Sequence, residues 1–168
     1  MKTIVIGLGN PILGDDGVGW KVAEEVRKHL FSVATPGAAR PEKIKRGEID
    51  YIVVEFLSLG GISLMEHLIG YERAIIIDAV MSGQEIGSVI VSNLSEFPDY
   101  STLHTTSVHD TSLQNALRLG KKMGASLPEE VIVVGITTSH VYDFSEELTP
   151  SVAAAIPRAL KIVIDLVA

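Results

Sequence analysis

The sequence predicts an α/β fold, a central sheet with helices on both faces. Strand-like apolar runs alternate with helix-like amphipathic stretches along the chain. Hydrophobic residues make up 46% of the 168 residues, a share that suits a sheet covered on both sides. One strand, Ser88–Ser92, follows its predecessor after a link too short and too polar for a crossover helix. Parallel pairing needs roughly a dozen residues of connection, so this strand is expected to be antiparallel and at an edge.

The elements follow in order. Thr3–Gly7 is a short apolar run and the first strand. Val18, Val22, Val26 and Leu30 recur every four residues and give one apolar stripe to a helix over Gly19–Phe31. Ser32–Gly47 contains Pro36, Gly37 and Pro41 among charged residues and is expected to be a surface loop. Tyr51–Phe56 is the second strand, and Ile62–Ile69 a short helix ended by Gly70. Arg73–Asp78 is the third strand, with the wholly apolar core Ala74-Ile75-Ile76-Ile77.

Ser88–Ser92, after the link Ala79–Gly87, is the fourth strand. Thr111 with Gln114 matches a capping box for a helix over Thr111–Met123, with Leu113, Ala116, Leu117 and Met123 inward. Val131–Ile136 is the fifth strand. Thr149 can cap a final helix with Pro150 in its first turn. Val152, Ile156, Leu160, Val163 and Val167 face inward on it, and Pro157 should kink it.

A chain of this length fits a single domain, residues 1–168. No apolar run approaches the roughly 18 residues of a membrane span, and the N-terminus reads as a strand rather than a secretory signal, so a cytoplasmic protein is expected. The absence of cysteine excludes disulfides, zinc–thiolate sites and a thiol nucleophile. With a formal charge of −7 and a pI near 5.2 the chain lacks the basic balance of a phosphate-backbone binder. The cluster Lys43, Lys45 and Arg46 reads as a solvated loop.

The loop after the first strand carries the chemistry. Gly7-Leu8-Gly9-Asn10-Pro11 leaves the strand and Gly14-Asp15-Asp16-Gly17-Val18-Gly19 enters the helix. A dinucleotide fingerprint needs a third glycine where Ile12 stands, and a P-loop needs a Lys-Ser/Thr pair. Two adjacent acids would also repel a pyrophosphate, so no nucleotide cofactor is expected. Helix capping accounts for one acid. The second points to a cation, and the flanking glycines permit close approach of a ligand.

Asp78 ends the third strand, at the rim where open α/β sheets bind ligands. His109 precedes the third helix, whose N-terminal dipole disfavours imidazolium and so favours the neutral, metal-binding form. A strand order of 2-1-3 opens a crevice between strands one and three, and Asp16, Asp78 and His109 can all reach it. Two carboxylates and an imidazole suit a borderline divalent metal. His29 and His67 fall among polar neighbours on helices and are expected to face solvent. His104 lies near His109 in sequence, and His140 follows the fifth strand on the same rim. Neither H-E-x-x-H nor G-x-S-x-G occurs.

These features together resemble the hydrogenase maturation protease family, endopeptidases that trim the C-terminus of nickel–iron hydrogenase large subunits. The resemblance runs through Gly7-Leu8-Gly9-Asn10, Asp15-Asp16-Gly17-Val18-Gly19, Ile77-Asp78-Ala79, Ser107-Val108-His109-Asp110, and Gly135-Ile136 to Leu148-Thr149-Pro150. It implies a three-layer α/β/α sandwich with a five-stranded mixed sheet, order 2-1-3-5-4, strand 4 antiparallel. It places Asp16, Asp78 and His109 on the family's metal-contacting positions, with Asp16 and Asp78 catalytic. Gly9, Asn10, Asp15 and His140 are the expected substrate contacts.

The implied substrate is a large-subunit precursor whose own nickel is the divalent metal recognised, and the implied state is a monomer. Ser58-Leu59-Gly60-Gly61 departs from the Asp-Gly-Gly-Thr-type turn of some members, which bears on substrate identity. Peptidyl-tRNA hydrolase shares the opening Gly-Leu-Gly-Asn-Pro, but its Arg-His-Asn continuation is replaced by Asp15-Asp16-Gly17. A non-catalytic metal chaperone using the same three ligands is a third reading.

Overall fold

The computed structural model describes residues 1–31, 43–45, 51–97, 111–139 and 143–168. The strands are β1 (Lys2–Leu8), β2 (Lys43–Lys45), β3 (Tyr51–Leu57), β4 (Arg73–Val80), β5 (Val89–Asn93) and β6 (Glu130–Thr137). The helices are α1 (Val18–Phe31), α2 (Gly61–His67), α3 (Leu113–Lys122) and α4 (Pro150–Val167). They form one sheet of order β2-β3-β1-β4-β6-β5. The five strands read from the sequence thus take the order 2-1-3-5-4. β1, β3, β4 and β6 are parallel, and β5 runs antiparallel to β6 as the short link requires.

β2 is an addition. It pairs antiparallel with β3 through Lys43↔Val53 and Lys45↔Tyr51, inside the stretch expected to be loop. Three residues carry no usable periodicity, and backbone pairing with an open edge suffices to order them.

Side chains of the central strands divide between two cores, as the two-residue period demands. Ile4, Ile6, Leu8, Ala74, Ile76, Val80 and Val133 pack under α2 and α3 with Leu64, Leu68 and Leu113. Val5, Ile75, Ile77, Ala79, Val134 and Ile136 pack under α1 and α4 with Val22, Val26, Val152 and Val163. Helices therefore cover both faces, giving three layers.

The helix details correct several readings. Ser112, not Thr111, caps α3, accepting from the Asn115 N–H at 3.3 Å. Gln114 is turned instead toward the Leu94 and Phe97 carbonyls, to which its amide donates. Met123, expected inward, is 78% exposed, because α3, whose buried stripe is Leu113, Ala116 and Gly120, ends one residue before it at Lys122. On α4 the stripe is Val152, Ala155, Ala159, Val163 and Val167, with Ile156 and Leu160 half-buried beside it. Pro157 lies on the exposed side of α4, inside the segment Pro150–Val167.

Gly19 marks a very close approach of helix to sheet. A Cβ there would collide with the backbone carbonyl oxygens of both Leu8 and Ile77. α1 can thus seat against β1 and β4 only because residue 19 has no side chain. Gly19→Ala should destabilise the fold by about 1–3 kcal/mol, the usual cost of forced overpacking. A denaturant midpoint indistinguishable from that of the unaltered chain would contradict this.

Candidate active site

The parallel strands β1 and β4 are neighbours, with Gly7 paired to Ile77, one residue before Asp78. Chain connections leave β1 toward β3 on one side and reach β4 on the other, so the crevice at their carboxyl ends is a topological switch point. A turn of 3₁₀ helix, Gly14–Gly17, follows β1 and packs against β4. The topology therefore brings Asp16, in that turn, and Asp78, in β4, to one edge of the sheet.

Asp78 is 2% exposed. It lies within β4 rather than at its end, since the strand runs on to Val80. By alternation with Ile76 and Val80 it belongs to the face covered by α2 and α3. That is the face of the helix that Ser107-Val108-His109-Asp110 precedes in sequence. His109 itself lies outside the described residues, as do His104 and His140.

The β1 loop is held by hydrogen bonds within itself and to the end of β3. Gly9 takes φ 128°, a conformation that glycine tolerates and side chains resist, and its N–H donates to the Leu57 carbonyl at 3.1 Å. The Ser58 hydroxyl donates to the Gly9 carbonyl at 2.6 Å, so the segment departing from the Asp-Gly-Gly-Thr pattern touches the loop directly. Asn10 accepts from the Ile12 N–H at 3.2 Å through Oδ1, and its own N–H donates to Asp16 Oδ2 at 2.7 Å. This bond fixes one oxygen of the half-buried Asp16 carboxylate.

Asp15 is differently employed. It is buried, and its two oxygens accept from the N–H and the hydroxyl of Thr149, both at 2.7 Å. The capping role weighed for one of the two acids thus falls on a distant helix: Thr149 is the N-cap residue of α4 and makes no side-chain cap bond of its own. The sequence marked Thr149 as a cap but held no sign of its partner. His29 and His67 are exposed, and His67 Nδ1 lies 3.0 Å from Glu55 Oε2.

Two carboxylates at one rim, one buried and one held by a backbone N–H, are oxygen donors suited to a divalent cation. Among the described residues no three ligand-type side chains cluster; the third expected donor, His109, lies outside them. Among the same residues no helix is long and apolar enough to cross a membrane.

The family model for hydrogenase maturation protease (HycI) matches residues 50–166, which include Asp78. The chain belongs to the hydrogenase maturation protease family. The hydrogenase expression/formation protein HupD of Rhizobium leguminosarum bv. viciae is 24% identical over 160 residues, covering 95% of this chain and 71% of its own. The coenzyme F420 hydrogenase subunit delta of Methanothermobacter thermautotrophicus is 26% identical, covering 98% and 93%. The hydrogenase maturating endopeptidase HybD of E. coli shares the fold with a TM-score of 0.70 at 23% identity, covering 99% and 91%. The mixed sheet and its strand order are those of this fold.

Proposed function

We propose that this protease removes a C-terminal peptide from a nickel-loaded hydrogenase large-subunit precursor. Membership of the family supports a protein-processing hydrolase acting on such precursors. What supports the site is the topology, which carries the turn holding Asp16 and the strand holding Asp78 to the same edge of the sheet at the β1–β4 switch point, one carboxylate buried and the other half-exposed. The nickel is part of the substrate. Asp78, Asp16 and His109 receive it and so hold the scissile segment against the rim, where orientation lowers the barrier. Asp16, the more accessible carboxylate, takes the proton of the attacking water. Gly9, Asn10 and His140 line the path of the peptide. The protein acts as a cytoplasmic monomer.

The test incubates the purified protein with a large-subunit precursor and follows release of the C-terminal peptide by mass. Stoichiometric or catalytic release supports the reading. Binding of the nickel-loaded precursor without cleavage would instead favour a metal chaperone.

A further inference from the structure

We propose that Asp15 is a positioning residue, which sets the place of Asp16 by locking the β1 loop onto the start of α4. The inference rests on the role of Asp16 given above. Asp15 and Asp16 share one turn of 3₁₀ helix, in which successive side chains diverge by about 120°. Anchoring the first therefore dictates the direction of the second. Asp15 is anchored inward, 4% exposed, by two bonds to Thr149, a residue 134 positions away. Asp16 is left half-exposed and is tied on its other side by the Asn10 N–H.

A second, independent contact fixes the same two segments. The Gly14 N–H donates to the Ser145 carbonyl at 2.7 Å, and the Ser145 N–H to the Ile12 carbonyl at 3.0 Å. The loop is thus stitched to the approach of α4 on both sides of residue 13. These backbone bonds hold the loop's position and reach the turn only at its first residue, Gly14. The Asp15–Thr149 pair adds a side-chain anchor inside the turn, at the residue next to Asp16. A carboxylate at the N-terminus of α4 is also the charge favoured by the helix dipole. Both oxygens being engaged, Asp15 has no reason of its own to face the substrate.

The experiment compares Asp15→Ala, Asp15→Asn and Thr149→Val. Asn retains an acceptor for the Thr149 N–H, and its amide can donate to the hydroxyl, so the lock survives without the charge. Per folded molecule, Asp15→Ala should lower kcat for precursor processing about 30-fold with KM little changed, the scale expected of a sub-ångström to ångström displacement of a reacting group. Asp15→Asn should recover most of that loss. Thr149→Val should cost about threefold alone and add nothing in the Asp15→Ala background, since the two act as one unit. Hydrogen exchange at the Asn10 and Asp16 amides should quicken in Asp15→Ala and Thr149→Val but not in Asp15→Asn.

An Asp15→Asn variant as inactive as Asp15→Ala would overturn the proposal, because it would make the charge itself the requirement. So would unchanged kcat per folded molecule in Asp15→Ala. If Asp15→Ala does not fold, Thr149→Val decides: unchanged exchange at Asn10 and Asp16 sinks the lock. Exchange is read without substrate, so failure of the wild type to process any precursor would defeat the reading of the site without touching this one.

Discussion

Asp78→Asn should abolish processing while leaving the fold intact. Asn has the shape of Asp, so the core under α2 and α3 and the pairing of β4 with β6 at Asp78↔Gly135 keep their geometry. An uncharged amide is also cheaper to bury than a carboxylate, so stability should hold or rise. What is lost is the negative charge of a side chain only 2% exposed at the rim. In such a low-dielectric setting a single charge dominates attraction for a cation, and its removal cannot be made up by solvent. Processing should fall at least about a hundredfold, the scale of losing one electrostatic contact in an active site. The measurement is peptide release alongside thermal unfolding. Processing within a few-fold of the wild type would remove Asp78 from the machinery, and a large fall in melting temperature would make it a structural residue instead.

The strands that carry the site are legible in the residues themselves. The apolar run Ala74–Ile77 marks a buried strand, although β4 runs past the acid that follows it, through Ala79 to Val80. The length of the Ala79–Gly87 link dictated the antiparallel edge by chain geometry alone. Other features lacked a local signal. β2 depends on pairing with Tyr51–Val53 and not on its own three residues. Met123 has the chemistry and the spacing of a core residue, but α3 ends one residue before it, at Lys122; the last inward position of the helix is Gly120, where a Cβ would meet Leu127 Cδ1 at 2.8 Å and Met65 Sδ at 3.0 Å. The small residue there lets α3 lie close to α2, while Met123 is exposed because the helix has already ended. A hydrophobic pattern cannot distinguish such a glycine from a weak helix position.

The two adjacent acids show the same limit at the site. In sequence Asp15 and Asp16 are equivalent candidates for capping or for a cation. The structure separates them into a buried and a half-exposed carboxylate, the first bonded to Thr149, and a contact across 134 residues leaves no periodic trace. Both candidate roles follow from residue type and position, and only the three-dimensional pairing assigns one of them.

Nickel-loaded precursor should be cleaved and nickel-free precursor should not, with a difference of at least about a hundredfold, the scale of correct against lost orientation at a reacting centre. The donors set this expectation. The chain has no cysteine, and the three ligands proposed, Asp16, Asp78 and His109, offer one imidazole and no thiolate, a weak set for retaining a borderline metal. The isolated protein should therefore hold little metal. A cation already fixed in the precursor changes the balance, because its remaining coordination positions are filled by this rim at no cost of capturing a free ion. Docking the metal then places one segment of the precursor at a defined distance from Asp16, so recognition and orientation come from a single contact. Precursor without nickel has neither and should bind weakly and in no fixed register. The two precursor forms are incubated separately with equal enzyme, and the C-terminal peptide is quantified over time. Equal rates would show that the peptide sequence alone directs cleavage and that the acids at the rim serve the chemistry without reading the metal.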